Sequence, residues 1–252
     1  MFTLCIPTMN RFDSFLVHYI PNYLKNEYID EIVITDETGD DIDKIIKTFG
    51  NQTKLKLFKN ETRLGPFLNK MKACSYSKNE WIALIDSDNF ADENYFKISK
   101  TYLEENLLLT QKNIILSPSR ANPNFDFSHL SGFVYSKGNF EKNLELEKAN
   151  SNIIPKNASN VLMNTGNYVI NKFLIDNINL TNESDNIKYS SACDVIYFNT
   201  LLFEQSELDL NLHVVPNLEY EHVIHAGSIY TTTEKIFAFF NESVYQRYNN
   251  LT

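Results

Sequence analysis

Two carboxylates spaced i, i+2 close an unbroken apolar run in Trp81-Ile82-Ala83-Leu84-Ile85-Asp86-Ser87-Asp88. Aspartate oxygens are hard donors, and such a pair suits Mg²⁺ or Mn²⁺, which take one or two protein carboxylates and complete their shell with water and substrate phosphate. Other chemistries want other neighbours. A calcium loop opening at Asp86 needs Asp or Asn, then Gly, then a distant Glu, where the chain has Phe90, Ala91 and Lys97. An aspartyl-nucleophile phosphatase needs a threonine-like residue at position 90, on its first strand; Phe90 stands there, far from the N-terminus. An architectural alternative stays open: Asp86 or Asp88 caps the following helix, with Glu93 completing a box-like pattern. Asp41-Ile42-Asp43 repeats the spacing behind polar sequence and reads as a solvated turn or a helix start.

The residues before Asp86 say what positions it. Five consecutive apolar residues bounded by polar ones predict a strand buried on both faces, as in a parallel sheet. In open α/β sheets ligands bind beyond the carboxyl ends of such strands, where the two aspartates fall. Phe2–Ile6 predicts a first strand, with Pro7-Thr8-Met9-Asn10-Arg11 as its terminal loop. Asp13 is placed to cap a helix carrying Phe15, Leu16, Tyr19, Ile20, Tyr23 and Leu24 at helical spacing, which Pro21 should kink or end early. A strand over Ile29–Ile34 running into Thr35-Asp36, a helix over Asp41–Phe49, a half-exposed strand over Leu55–Phe58 and a helix over Phe67–Cys74 behind Pro66 follow. The order βαβαβαβ with short crossovers implies an α/β fold whose mainly parallel sheet is flanked by helices. The chain has neither a G-x-G-x-x-G nor a P-loop pattern and only seven glycines, so metal and side chains must hold any phosphate.

Beyond the aspartate pair, a helix over Asp92–Asn106 and a strand over Ile114–Ser117 are expected. From Pro118 to Asn160 the pattern loosens, and Phe125, Phe127, Phe133, Tyr135 and Phe140 alternate with Ser, Asn and Gly. These aromatics read either as hairpin packing or as a platform for a sugar-like acceptor. Val161–Asn171 turns back into a strand, and Ser190-Ser191-Ala192-Cys193-Asp194 opens a helix that turns Val195, Phe198, Leu201 and Leu202 inward. Leu212–Val215 and Leu218–Ile224 read as two strands, the second ending near His222 and His225. Thr231 and Glu234 form a capping box for a last helix with Ile236, Phe237, Phe240 and Val244 inward.

At 252 residues, with 43% hydrophobic and 13% aromatic residues, the chain has material for one substantial domain, and no repeat or linker divides it. A net charge of −9 argues against nucleic acid or an anionic membrane as partner. No apolar run is long enough to span a membrane, no signal peptide precedes Pro7, and Cys5, Cys74 and Cys193 show no paired spacing. A soluble, cytoplasmic protein with reduced, buried thiols is expected, its sequons at Asn51 and Asn60 unused.

A first strand ending in Pro7-Thr8-x-Asn10-Arg11, a second ending in Asp36 and a fourth ending in Asp86-Ser87-Asp88 together resemble the GT-A glycosyltransferases, most of all the family-2-type group of inverting enzymes. The resemblance runs from Thr3 to Phe96. It resumes at Thr165-Gly166-Asn167, at Asp194 and over His222-Val223-Ile224-His225-Ala226-Gly227-Ser228-Ile229-Tyr230. It implies a Rossmann-like, GT-A-type domain over 1–252, with a nucleotide-donor half over 1–117 and an acceptor and metal-completing half over 118–252. It implies transfer of a sugar from a nucleoside diphosphate donor, UDP- or dTDP-sugar favoured, to a glycan or other hydroxyl acceptor, with Mn²⁺ or Mg²⁺ and inversion.

Carried onto this sequence, the resemblance has Pro7, Thr8, Asn10 and Arg11 lining the base pocket and Asp36 accepting a base N–H. Arg63 flanks the nucleotide, Asn69 and Lys70 lie near the donor, and Asp86 and Ser87 contact the nucleotide. Asp88 binds the metal, with Asp86 a second candidate and His222 or His225 completing the shell. On an extended strand these two imidazoles point to opposite faces, so one reaches the ion, and His225 is the expected one. Asp194 is the general base, its ionised form favoured by a helix N-terminus. Plainer readings compete: Asp36 as a turn former, Asp194 as a helix-start charge, Arg63 as a surface charge. The chain departs from the family pattern where Ala192-Cys193-Asp194 replaces a Glu-Asp pair. It also lacks the Gln-x-x-Arg-Trp segment of processive members, which implies single transfers. Two rivals remain. A sugar-1-phosphate nucleotidyltransferase would want a glycine-rich loop where Pro7–Arg11 has no glycine; the other is a non-catalytic nucleotide-sugar or glycan-binding relative.

Overall fold

A computed structural model describes residues 1–136, 166–188, 194–205, 210–225 and 238–250. Several expectations lie outside them: those on Phe140, on 161–165, on Ser190 to Cys193, on Ala226 to Tyr230, on the Thr231–Glu234 box, on Ile236 and Phe237, and on the side chain of Phe240.

The first four strands, β1 (Phe2–Thr8), β2 (Ile29–Asp36), β3 (Leu55–Lys59) and β4 (Trp81–Leu84), are parallel. β1, β2 and β4 form because their apolar runs are buried on both faces, whereas β3, with Lys56 and Lys59, is the half-exposed strand expected. Along β1, Leu4 and Ile6 enter one core layer and Cys5 the other; along β4, Ala83 enters the first layer and Ile82 and Leu84 the second. Helices α1 (Val17–Lys25), α2 (Asp40–Phe49), α3 (Pro66–Ser75) and α4 (Glu93–Glu105) supply the crossovers. Pro21 does not end α1, which runs on to Lys25 behind a π turn over Phe12–Leu16. A helix-interior proline costs about 3 kcal/mol, and complete burial of Ile20 and Tyr23 returns about 1.5–3 kcal/mol for each such side chain.

The remaining strands are β5 (Ile114–Asn122), β6 (Phe125–Asp126), β7 (Val134–Ser136), β8 (Tyr168–Asn171) and β9 (Asn211–Glu221). Among the described residues the sheet order is β3-β2-β1-β4-β8-β5-β9-β7, with β6 pairing β5. β8 is antiparallel to both β4 and β5, and β9 is parallel to β5. β5 runs five residues past the expected Ser117, and β9 is one strand where two were expected. A register shift beyond Pro118, facing Pro216 and the left-handed Asn217, absorbs both prolines as a bulge, and pairing resumes at Arg120–Glu219. Helices α5 (Lys172–Asp176), α6 (Asp185–Lys188), α7 (Ile196–Gln205) and α8 (Ala238–Asn249) belong to the second half.

The chain runs from β1 outward through β2 to β3, then returns to place β4 on the other side of β1. This reversal opens a crevice at the carboxyl ends of β1 and β4. Cys5 and Cys74 are free and buried, as expected. No helix among the described residues is long and apolar enough to cross a membrane.

Candidate functional site

The loop after β1 is built on a carboxylate from α2. Asn10 takes a left-handed conformation (φ 57°), and the fully buried Asp41 accepts the Thr8 hydroxyl at 2.6 Å, the Arg11 N–H at 2.9 Å and the Phe12 N–H at 2.9 Å. Asp41 starts a helix as expected, but it is not solvated: these donors replace water around its charge. The loop so fixed places Arg11 Nε 3.7 Å from Asp88 Oδ2.

After β4, Asn167 grips Asp86 at two points, accepting its backbone N–H at 2.6 Å and donating to its Oδ2 at 3.3 Å. Helix α4 is capped by Asp92, which accepts the Tyr95 N–H at 3.0 Å, so Asp86 and Asp88 are not its caps. Asn89 accepts the Val223 N–H at 3.0 Å, and Phe90 and Glu221 exchange two backbone bonds. These contacts carry the segment after β9 across to the aspartate loop. There His225 Nε2 lies 3.0 Å from Asp88 Oδ2. The two imidazoles follow the strand instead of lying in it. His222 turns elsewhere, its ring 5.3 Å from that of Phe125 and its Nδ1 2.9 Å from Asn124 Nδ2.

Lys70, buried on α3, joins the two halves. Its Nζ is 2.8 Å from Asp86 Oδ1 and 3.9 Å from Asp194 Oδ2. Burial alone would lower its pKa, but Asp86, Asp194 and Asp88 overcome this and raise it. Asp194 precedes α7 and is brought in by a close approach: a Cβ on Gly166 would meet Val195 Cγ2 at 2.7 Å. Desolvation, opposed by Lys70 and reinforced by Asp86, raises the Asp194 carboxyl to about 6. The helix terminus was expected to favour its ionised form; burial outweighs that effect.

These groups surround one cleft of about 620 Å³, a size suited to a nucleotide-sized ligand. Of the residues expected there, Pro7, Thr8, Arg11, Arg63, Asn69 and Lys70 line it from the donor half. Asp86, Ser87, Asp88, Asp194 and His222 line it as well, and His225 reaches it through Asp88. Asn10 and Asp36 are not among the lining residues. Asp36 is buried and accepts the Thr38 and Ile42 N–H groups, both at 3.1 Å, holding the turn into α2. Its neighbour Glu37 lines the cleft instead. Burial raises the Glu37 pKa, against hydrogen bonds that include the Leu64 N–H at 2.6 Å.

The order of strands, the switch point and the aspartate loop have a counterpart among known families: residues 3–160 match the model for "Glycosyl transferase family 2". The chain belongs to glycosyl transferase family 2. No curated protein sequence matches it. Among solved structures, the S. aureus TarS 1-349 complex with UDP-GlcNAc is similar at a TM-score of 0.66 and 13% identity, over 98% of this chain and 66% of that one. The corresponding complex with UDP has a TM-score of 0.61 at 15% identity, over 99% and 70%. Full TarS has a TM-score of 0.59 at 14% identity, over 99% and 43%. The chain thus spans about two thirds of the TarS fragment and less than half of TarS, and at these identities the likeness is one of fold.

Within this family-2 domain, no three His, Cys, Asp or Glu side chains among the described residues stand close enough to hold an ion between them. The Asp88–His225 pair does fit one. Asp88 Oδ2 and His225 Nε2 face each other across a 3.0 Å hydrogen bond, an oxygen and a nitrogen donor of the kind that divalent ions accept. Asp86 is engaged by Lys70 and Asn167 instead. Asp41, read from sequence only as a turn or helix start, and Glu37 and Asn167 were not among the expected site residues. Only Asn167 carried a signal, as part of Thr165-Gly166-Asn167.

Proposed function

We propose that the chain transfers a sugar from a UDP-type nucleoside diphosphate donor to an acceptor hydroxyl, with a divalent ion and inversion at the anomeric carbon. The observation that carries this reading is one cleft lined both by Asp88, which pairs with His225, and by Asp194, a carboxyl with a raised pKa. The UDP-GlcNAc complex of TarS, similar in fold, supports a UDP-type donor.

Asp88 and His225 would hold a divalent ion, which would supply positive charge against the leaving diphosphate. Arg11 beside Asp88 adds fixed positive charge, and so does Lys70, between Asp86 and Asp194. Pro7, Glu37 and Arg63 border the end where the base would lie. Asp194 takes the acceptor proton. A base with a pKa near 6 is largely ionised at neutral pH yet more basic than an ordinary aspartate, which favours proton transfer from a hydroxyl.

The test is calorimetric binding and hydrolysis of UDP-, dTDP- and GDP-sugars, each with Mn²⁺ and with EDTA. Metal-dependent binding of a UDP-sugar with slow hydrolysis is expected. Binding with neither hydrolysis nor transfer would mark a non-catalytic relative, and indifference to Mn²⁺ would remove the metal from the reading.

A further inference from the structure

Asn124 decides the chemistry of His222. Its side-chain nitrogen lies 2.7 Å from the His222 carbonyl oxygen and 2.9 Å from His222 Nδ1. A carbonyl only accepts, which identifies the Asn124 atom as the NH₂ nitrogen, and its second hydrogen goes to Nδ1. Nδ1 therefore accepts and Nε2 carries the proton. A protonated nitrogen is no metal ligand; it is a donor. Burial lowers the pKa of this histidine, against the pull of Asp86 and Asp88, and so keeps it neutral.

Phe125 lines the cleft beside it. Its ring is braced parallel to Phe127, with centroids 6.1 Å apart and planes 4° apart, and sits 5.3 Å from the His222 ring. A flat apolar face next to a fixed N–H donor matches a sugar ring, which offers a C–H face to one and hydroxyl oxygens to the other. The charge pattern separates this wall from the donor side. Arg11, Arg63 and Lys70 all come from the first half, whereas Asp194 is the one charged side chain among the described cleft residues after position 118. Among the described residues of this wall, no side chain offers counter-charge to an acceptor phosphate or carboxylate.

We propose that the Phe125–His222 wall is the acceptor subsite and that it takes a neutral sugar ring, whose hydroxyl Asp194 then deprotonates. This rests on the glycosyltransferase reading and names its acceptor class.

The experiment is saturation-transfer NMR on the full chain with UDP and Mn²⁺, using methyl glycosides of glucose, galactose and N-acetylglucosamine as probes, with glycerol 3-phosphate and hexanol as controls. Phe125→Leu removes the ring, and His222→Phe keeps a ring but removes the donor. UDP affinity and melting temperature are measured for each. At least one glycoside should bind the wild type, and each variant should weaken it by about tenfold, the scale of one lost hydrogen bond or ring contact, with UDP affinity unchanged. The proposal is overturned if UDP binds but no glycoside does, if glycerol 3-phosphate or hexanol binds in preference, or if folded variants keep full glycoside affinity. A parallel loss of UDP affinity in the variants would reassign the wall to the donor. A wild type that binds no UDP would overturn the glycosyltransferase reading itself.

Discussion

A carboxyl group partly withdrawn from water without full counter-charge holds its proton more tightly, and Asp194 is so placed despite Lys70 3.9 Å away. The sign follows directly. Below about pH 6 Asp194 is protonated and cannot accept a proton; above it the group is ionised and can. Turnover should therefore rise through about pH 6 and level off, read from the pH profile of kcat. Asp194→Asn should cut transfer by about 10² or more while sparing donor affinity. Because the folded protein binds this proton more tightly than the unfolded chain does, ionised Asp194 withdraws stability as pH rises through 6. The Asn variant should then melt no lower than wild type at pH 8. A destabilised variant with normal turnover per folded molecule would instead make Asp194 a helix-start charge. Lys70 opposes the shift, so Lys70→Met should move the acid limb of the kcat profile to higher pH; an unmoved limb would mean that the two side chains do not communicate.

Elements whose burial is local in sequence could be read from it. Trp81–Leu84 shows an unbroken apolar run, and the helix at Pro66 announces itself with a proline at its first turn. The stretch Pro7–Arg11, whose first two residues complete β1 instead of opening the loop, was legible as a site, but what holds it was not. Asp41 reaches Thr8 and Arg11 across some thirty positions, and polar neighbours made it look solvated. Asn167 likewise reaches Asp86 from a strand whose antiparallel place beside β4 no local pattern announces. His225 was expected from a strand that ends four residues earlier, so its approach to Asp88 depends on Asn89 and the Phe90–Glu221 pairing. Asp41→Ala should leave three donors, those of Thr8 and Phe12 buried, without this acceptor, at about 1–3 kcal/mol for each buried group left unpaired. It should weaken UDP binding at temperatures where the fold persists. Retained UDP affinity in a folded Asp41→Ala protein would show that the loop keeps its shape without this carboxylate.

At the scale of the molecule, the cleft is shared by the parallel strands of the first half and by elements of the second. Helix α8 takes part in both packing and cleft: Val244 and Tyr248 are buried in the core, and Tyr245 lines the opening. Its attachment runs through Arg247, which donates to Glu183 at 2.6 and 3.0 Å and to Glu204 at 2.8 Å, while the Tyr197 hydroxyl donates to Glu183 at 2.5 Å. The Glu183 side chain is only 8% exposed, so removing the guanidinium strands a nearly buried charge. Breaking a fully buried pair costs about 3–5 kcal/mol. Partial exposure of Arg247 and Glu204 reduces this to about 1–3 kcal/mol. At about 2–4 °C per kcal/mol for a chain of this size, Arg247→Met should lower the melting temperature by about 2–12 °C. Donor affinity measured well below the transition should not change, because Arg11, Asp88 and His225 belong to elements that Arg247 does not touch. An unchanged melting temperature would make the Arg247 cluster a surface feature of no energetic weight. Lost UDP affinity in a fully folded variant would bring α8 into the donor site.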